Sequence, residues 1–502
     1  MISIDSSTLP ASLYTAEQMR RLDRCAIDQF AIPGLTLMQR AGAAAFAYLR
    51  WRWPEARRLA VICGTGNNGG DGYVVAMLAL EAGLTVQLLQ MGDGEKLGGD
   101  ALACARAFLE AGGRVEPFQA LAEEFDLIVD AVLGTGLERE VSGAWAGMVE
   151  AVNRYPAPVL ALDIPSGLHS DNGRVMGCAI RADATVTFIG LKQGLFTGDG
   201  PDCCGEILFD DLQVPAVVYD TLKASSKRLT WMHYSDGLSP RRRTAHKGSC
   251  GHLLLVGGDS GFSGALQMAG EAALRSGAGL VSLATRVSHA ALINSRRPEL
   301  MSHGVESAAD LAPLLARADV VAIGPGLGQA TWGQSMLASV LECSLPLVVD
   351  ADGLNLLAQE PLCRDNWVLT PHPGEAARLL GCSLAEIQAD RFRAAELLQQ
   401  RYGGVVLLKG AGTLINEGPA QLPGVCVEGN PGMASGGMGD LLTGIIGSLM
   451  AQGESSGRAA RMAACLHGEA ADLAALDGER GMLASDLLPF LRRLLNPERR
   501  PC

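Results

Sequence analysis

Short apolar runs, each followed by a stretch of helical periodicity, organise this chain. Runs at 59–63, 86–90, 125–132, 159–163 and 185–189 are continuous in hydrophobic residues rather than alternating, the pattern of strands buried on both faces of a mainly parallel sheet. Thr15-Ala-Glu-Gln18 has capping-box spacing and opens a helix ahead of them. The rhythm lapses between about 219 and 251, where Ser225-Ser-Lys-Arg228, Pro240-Arg-Arg-Arg-Thr244 and Lys247-Gly-Ser-Cys-Gly251 bring polar and basic residues without periodicity. It resumes with runs at 253–256, 280–284, 320–323, 347–350, 367–370 and 405–409. The reading is two α/β domains in tandem, 1–225 and 226–502, each a parallel sheet flanked by helices. Their motifs do not match one another, so no internal repeat is read.

Length and charge narrow the class. At 502 residues the chain exceeds what one hydrophobic core supports, and 48% hydrophobic with 19% charged residues is ordinary for a folded protein. A formal net charge of -13 argues against a nucleic-acid or membrane-surface partner and leaves a small molecule as the expected ligand. The 13 cysteines sit mostly in apolar runs, as Cys63, Cys104 and Cys465 do, which suits buried thiols in a reducing compartment. Adjacent Cys203 and Cys204 have no second Cys/His cluster beside them and read as structural. With no leader pattern and no apolar run of the roughly 20 residues that cross a bilayer, a cytoplasmic protein is expected.

In the first half, the run 59–63 leads into Gly64-Thr-Gly-Asn-Asn-Gly-Gly-Asp-Gly72, with a helix read over 73–80. That is the crevice position of an open α/β sheet, where glycine N–H groups approach phosphate and Asn67, Asn68 and Asp71 add polar contacts that a structural turn does not need. Two further strand ends carry carboxylates: Asp130, followed by Gly134-Thr-Gly-Leu-Glu-Arg-Glu140, and Asp163, followed by Ile-Pro-Ser-Gly167. On one carboxyl edge, the Asn68 amide oxygen, the Asp130 carboxylate and the Ser166 hydroxyl make an oxygen-only set suited to an alkali or alkaline-earth cation. Asp163 is then the candidate acid/base. Taken singly, each feature also fits a hairpin turn or a helix cap; three on one rim favour a site.

In the second half, Gly257-Gly-Asp-Ser-Gly-Phe-Ser-Gly-Ala265, Arg275-Ser-Gly-Ala-Gly-Leu-Val281, Ile323-Gly-Pro-Gly-Leu-Gly328 and Asp350-Ala-Asp-Gly-Leu-Asn355 join apolar runs to helices. Thr370-Pro-His-Pro-Gly-Glu375 sets an imidazole between two prolines that stiffen its backbone. The segment Asn430-Pro-Gly-Met-Ala-Ser-Gly-Gly-Met-Gly-Asp440 precedes a run that places Leu441, Leu442, Ile445, Ile446 and Leu449 on one helical face. Its glycines therefore fall at a helix N-terminus, an anion hole with Asp440 as built-in base. Lys409, at a strand end beside Gly410 and Gly412, suits a nucleotide phosphate or the approach to adenosine; taken alone it could also mark a strand turning into a hairpin. There is no Walker A motif. The arrangement resembles ribokinase-like enzymes and implies ADP or ATP.

At these residues the chain resembles a known family. Gly66-Asn-Asn-Gly-Gly-Asp71, Asp130 with 134–140, and Asp163-Ile-Pro-Ser-Gly167 are similar to the YjeF N-terminal domain, the NAD(P)H-hydrate epimerase, over most of 10–215. The resemblance implies a Rossmann-like three-layer αβα sheet. It further implies that Asn67, Asn68, Gly69, Gly70, Asp71, Gly134, Thr135, Gly136, Leu137, Glu138, Arg139, Glu140 and Asp163 contact the hydrated dinucleotide, and that Asn68, Asp130 and Ser166 hold potassium. Arg297-Pro-Glu-Leu-Met301, Val349-Asp-Ala-Asp-Gly-Leu-Asn355, Thr370 to Glu375 and the Asn430 to Asp440 segment are similar to the YjeF C-terminal domain, the ADP/ATP-dependent NAD(P)H-hydrate dehydratase, over nearly all of 230–495. That implies a ribokinase-like three-layer αβα sheet in which Ala278, Gly326, His372 and Asp440 bind the hydrate. Lys409, Gly410, Ala411, Gly412, Thr413 and Gly439 would bind the adenine nucleotide, ADP in bacterial members, with magnesium. The family has Gly-Met-Gly-Asp where sugar kinases have Gly-Ala-Gly-Asp, and this chain follows the family. As a whole, the resemblance implies a bifunctional repair enzyme, with Asp163 and Asp440 catalytic and a homo-oligomer, the tetramer of the family, as its assembly. Relatives of the first fold also serve as binding modules in RNA-decay proteins. The competing reading is a ribokinase-like small-alcohol kinase with an N-terminal ligand-binding or scaffold domain.

Overall fold

The computed structural model describes residues 9–121, 124–235, 238 and 240–496, and the chain divides into two compact units, 1–227 and 228–502. In the first unit, β1 (Arg58–Cys63), β2 (Thr85–Gln90), β3 (Val115–Pro117), β4 (Leu127–Ala131), β5 (Val159–Leu162), β6 (Ala184–Phe188) and β7 (Glu206–Asp210) form a parallel sheet. The order is β3-β2-β1-β4-β5-β6-β7. It reverses at β1, the position at which open α/β sheets take ligands at the carboxyl ends of their strands. The register sets Ile62 beside Asp130 and Cys63 beside Ala131, so the end of β1 and the acidic end of β4 are neighbours. Leu59 to Cys63 are fully buried. Burial of such Leu, Val and Ile side chains contributes about 1.5–3 kcal/mol each, and it holds the strand ends in place.

The Thr15 capping box is formed and opens α1 (Ala16–Asp28), which buries Met19, Leu22, Cys25 and Ala26. The next helix that matters, α2 (Asn67–Glu81), begins at Asn67 rather than at 73. Apolar periodicity does not show its first turns, because they are made of glycines that lie on the sheet. A Cβ at Gly72 would come within 2.5 Å of Ala131 Cβ, and one at Gly69 would run into the Gly64 carbonyl. Glycine in a helix costs about 1 kcal/mol; here it lets the helix start on top of β1 and β4.

The second unit repeats the principle with different connections. Strands β8 (His252–Val256), β9 (Leu280–Thr285), β10 (Met301–Gly304), β11 (Val320–Ile323), β12 (Leu347–Val349), β13 (Trp367–Leu369) and β14 (Val405–Leu408) are parallel. β15 (Thr413–Asn416) and β16 (Gly424–Cys426) follow β14 as antiparallel hairpins. The order runs β10-β9-β8-β11-β12-β13-β14-β15-β16. Helices α3 (Ser263–Arg275), α4 (Pro373–Leu380), α5 (Arg391–Tyr402), α6 (Met438–Ala451) and α7 (Ser456–Ala474) pack on it. The helix α6 is buried on every side from Leu441 to Met450, not along the single apolar stripe that the sequence suggests. Its second face is Thr443, Gly444, Gly447 and Ser448, small enough for close approach: a Cβ at Gly444 would meet the Ala269 carbonyl of α3, and one at Gly447 the Leu253 side chain of β8.

Candidate active sites

In the first unit the site assembles at the switch in strand order. Asp163 follows β5 with φ +67, a left-handed conformation that costs a non-glycine residue about 1–3 kcal/mol. Its N–H donates to Val186 O at 2.7 Å, and its carboxylate forms an ion pair with Lys192. That ammonium also donates to Thr187 Oγ1 at 2.9 Å and Phe188 O at 3.1 Å, so all three of its donors are used. Lys192 is 1% exposed and belongs to no motif, which is why the sequence did not reveal it. Asp71 on α2 and Asp23 on α1 stand around the same pair. Burial pushes the Asp71 carboxyl well up, reinforced by Asp163. Burial likewise raises Asp23 to about 6, with Lys192 opposing and Asp163 adding to the shift.

The proposed cation ligands come together beside it. Asp130 is fully buried; its carboxylate accepts from Ser166 Oγ at 2.6 Å and from Ser166 N at 2.8 Å. Ser166 Oγ in turn accepts from Leu133 N at 2.7 Å. Next to that loop Asn68 is 8% exposed, and neither atom of its amide has a hydrogen-bond partner. A Cβ at Gly134 would stand 3.4 Å from Asn68 Cβ. Burial raises the Asp130 carboxyl to about 6 against the pull of the Ser166 donors. An orphaned amide oxygen beside a buried carboxylate is the donor set a hard monovalent cation fits. The 134–140 loop divides: Gly134 lies against Asn68, Thr135 is half-buried and Gly136 exposed, whereas Leu137 turns into the core. Glu138 and Arg139 are exposed, and Glu140 pairs with Arg174 at 2.8 Å on the surface.

In the second unit Lys409, immediately after β14, is the hub. Its ammonium lies 2.7 Å from Asp350 and 3.8 Å from Glu375; Asp350 also accepts from Thr443 Oγ1 at 2.8 Å. The first turn of α6 closes over the cluster, since a Cβ at Gly439 would stand 3.4 Å from Lys409 Nζ and 3.6 Å from Asp350 Oδ2. Gly437 caps that helix at φ +94, a conformation open to glycine at little cost. Burial opposes the charge on Lys409, but Asp350, Glu375 and Asp440 outweigh it and hold the ammonium above the usual lysine range. Burial, then Asp350, raises Asp440 to about 7, and burial raises Glu375 to about 7 with Lys409 pulling the other way. Three carboxylates therefore share one lysine beside a helix N-terminus. Asp350, Glu375 and Thr443 were not among the candidates; the first two stood inside motifs, with nothing in the sequence to say that they converge.

The remaining candidates are divided. His372 caps α4: its Nδ1 accepts from Gly374 N at 3.0 Å and Glu375 N at 3.3 Å, while Glu375 accepts from His372 N at 2.8 Å. Burial and Lys409 lower its pKa, so the imidazole is neutral and half exposed toward the rim. Residues Gly410, Ala411 and Gly412 form the β14–β15 hairpin turn, Thr413 opens β15, and Arg391 holds the base of the turn by donating to Leu408 O at 3.3 Å and Lys409 O at 3.2 Å, and to Ala411 O. Lys409 points into the carboxylate cluster rather than along this turn. Gly326 lies in the loop after β11 with φ +58. Ala278 is the exception. It precedes β9, at the amino end of the sheet, and its N–H donates to Ser448 Oγ at 3.0 Å. Ser448 is eight residues along α6 from Asp440, about 12 Å by helical rise. The alanine on the rim is Ala265, whose Cβ would meet a Cβ at Gly326 at 3.4 Å. Arg297 pairs with Glu271 of α3 at 2.9 Å, a packing role.

A strand-order switch point in one sheet, and in the other a helix N-terminus bearing a carboxylate of raised pKa, mark a two-domain α/β enzyme. The comparisons agree. The family described as NAD(P)H-hydrate dehydratase matches residues 253–493, and the YjeF-related protein N-terminus matches 34–194. The chain is 50% identical to the bifunctional NAD(P)H-hydrate repair enzyme Nnr of Coxiella burnetii, across 97% of this chain and 99% of that one. It is 48% identical to the protein of that name from Escherichia coli, across 98% and 95%. A ribokinase-like superfamily protein from Enterococcus faecalis superposes with a TM-score of 0.50 at 30% identity, covering 54% of this chain and 95% of its own. The chain belongs to the family of bifunctional NAD(P)H-hydrate repair enzymes.

Proposed function

We propose that this protein repairs hydrated NADH and NADPH in two steps, the first unit interconverting the R and S epimers at C6 and the second dehydrating the S form at the expense of ADP. The observation that carries the reading is Asp440, a carboxylate raised to about 7 at a helix N-terminus whose free N–H groups suit a phosphate. Asp440 takes the proton from the C6 hydroxyl as its oxygen bonds to the terminal phosphorus of ADP, and the bond to the α-phosphate breaks to release AMP. The ring-nitrogen lone pair then expels phosphate, and loss of a C5 proton restores the double bond. Lys409 neutralises charge beside the transferring group. Asp350, Glu375 and Asp440 leave a carboxylate surplus around that lysine, which fits magnesium arriving with the nucleotide; when bound, that ion neutralises phosphate charge.

In the first unit, Asp163, held by Lys192, serves as the proton carrier. As a carboxylate it takes a proton from the water that adds to one face of the ring, and so protonated it returns that proton to the C6 hydroxyl that departs from the other face. Asn68, Asp130 and Ser166 would hold potassium, which when bound supplies a fixed positive charge that orients the dinucleotide. The free cysteines among the described residues support a cytoplasmic setting.

The test is product analysis with separated epimers. The S hydrate with ADP and magnesium should give NADH, AMP and phosphate in equal amounts, and Asp440→Asn should stop this while R-to-S interconversion continues. A stable phosphorylated alcohol from another substrate, with no NADH formed, would establish the small-alcohol kinase instead. Asp163→Asn leaving interconversion unchanged would make the first unit a binding module.

A further inference from the structure

A second cluster of ligating groups in the second unit has no part in this chemistry. Cys426 closes β16, Glu428 lies two residues on, and Cys465 sits on α7; their Sγ and carboxylate oxygen atoms all lie within 4.8 Å of one another. Both cysteines are essentially inaccessible. Cys426 Sγ donates to Glu428 O at 3.9 Å, and Cys465 stands in electrostatic range of Cys426 and Glu428. Glu428 Oε1 accepts from Trp231 N at 2.6 Å, while Oε2 is buried with no partner. Gly468 on α7 lets this strand end lie on the helix, for a Cβ there would come 2.7 Å from the Glu428 carbonyl.

We propose that Cys426, Cys465 and Glu428 form a binding site for a borderline-soft divalent cation of the zinc class, with water as the fourth ligand. A tetrahedral site with metal–sulfur bonds of about 2.3 Å has ligand–ligand edges of about 3.8 Å, so the triangle need close by no more than about 1 Å. A disulfide, with sulfurs about 2.05 Å apart, demands a larger movement and leaves the Glu428 oxygen orphaned. Charge also balances. Two thiolates and a carboxylate carry three negative charges, and a divalent ion together with the buried guanidinium of Arg228, which stands in electrostatic range of Glu428 and Cys465, offsets them. Binding displaces the thiol and carboxyl protons of its ligands, so affinity falls with falling pH. The ion would brace the entry to the anion hole, because the next residues are already tied to the same helix: Asp472 accepts from Gly429 N at 2.9 Å and Asn430 Nδ2 at 2.8 Å.

The experiment is a cobalt(II) titration of the full-length protein after chelator treatment. One equivalent should bind with a thiolate-to-cobalt charge-transfer band and tetrahedral ligand-field bands, both lost when zinc displaces it. The Cys426→Ser/Cys465→Ser double variant should lose that equivalent, and Glu428→Gln should keep the band but bind about tenfold or more weakly. Cys203→Ser/Cys204→Ser should change nothing. Absence of the band in the wild type, equal cobalt binding by the first double variant, or isolation of a Cys426–Cys465 disulfide from reducing buffer overturns the proposal. If the double variant does not fold, the wild-type band and its retention in Cys203→Ser/Cys204→Ser decide the question.

Discussion

Asp440 is held at a cost in stability. Its carboxyl sits at about 7 in the folded chain and near 3.9 when unfolded, so the folded state binds the extra proton between those values. Stability from this group is complete below about pH 4 and is lost as pH rises through about 7. Asp440→Asn should therefore be more stable than the wild type above pH 7, by about 2 kcal/mol after discounting for partial exposure. The difference should vanish near pH 4, as denaturant melts at the two pH values would show. Its dehydratase kcat/KM should fall about 100- to 10,000-fold, and the wild-type rate should rise with pH to a plateau above about 7. A second carboxyl raised by burial is Asp130, at about 6, on the same rim as the orphaned Asn68 amide. Replacing potassium by tetramethylammonium should lower the thermal midpoint of the wild type and leave Asp130→Asn unmoved; equal shifts would remove the cation from this site. At this scale the sequence showed Asp440, Asp163 and the Asn68, Asp130, Ser166 set, each in a recognisable glycine-rich or strand-end context. It did not show Lys192, which has no motif, and of the small residues at the two ends of α3 it named Ala278, while the structure sets Ala265 beside Gly326.

Among the elements, α6 illustrates how glycine sets position. Gly444 lies so close to α3 that any side chain meets the Ala269 carbonyl, and the buried second face of α6 exists only because that residue and its neighbours are small. Gly444→Val should cost about 1–3 kcal/mol by overpacking, read as a drop in the urea midpoint. It should also slow the dehydratase, since α6 carries Asp440. Gly444→Val with unchanged stability would show that α3 yields. The strands read from continuous apolar runs fall within a residue or two of their ends, but β3, β7, β10, β15 and β16 were not read, being short or broken by polar residues and glycine; the formed Thr15 capping box followed from its spacing. The start of α2 was not legible. Its first turns are glycines chosen for contact with Ala131 and Gly64, and such contacts leave no period in the sequence.

For the whole molecule the two activities should separate cleanly. Given a mixture of epimers, Asp163→Asn should consume the S form and then stall, its further progress limited to spontaneous epimerisation. Asp440→Asn should equilibrate the epimers and form no NADH. Mixing the two variants should restore complete conversion if the intermediate passes through solution; failure of the mixture, with each variant active in its own step, would show that transfer between units requires one chain. Two α/β units, their order and the identity of their glycine-rich loops were determined by the sequence, since burial patterning and glycine placement are local properties of the chain. Which carboxylates share Lys409, which lysine holds Asp163, and which alanine lies beside Gly326 were decided only by the tertiary structure. Those pairings join residues as far apart as Asp350 and Lys409 or Asp163 and Lys192, and only strand order and register bring such residues to one rim.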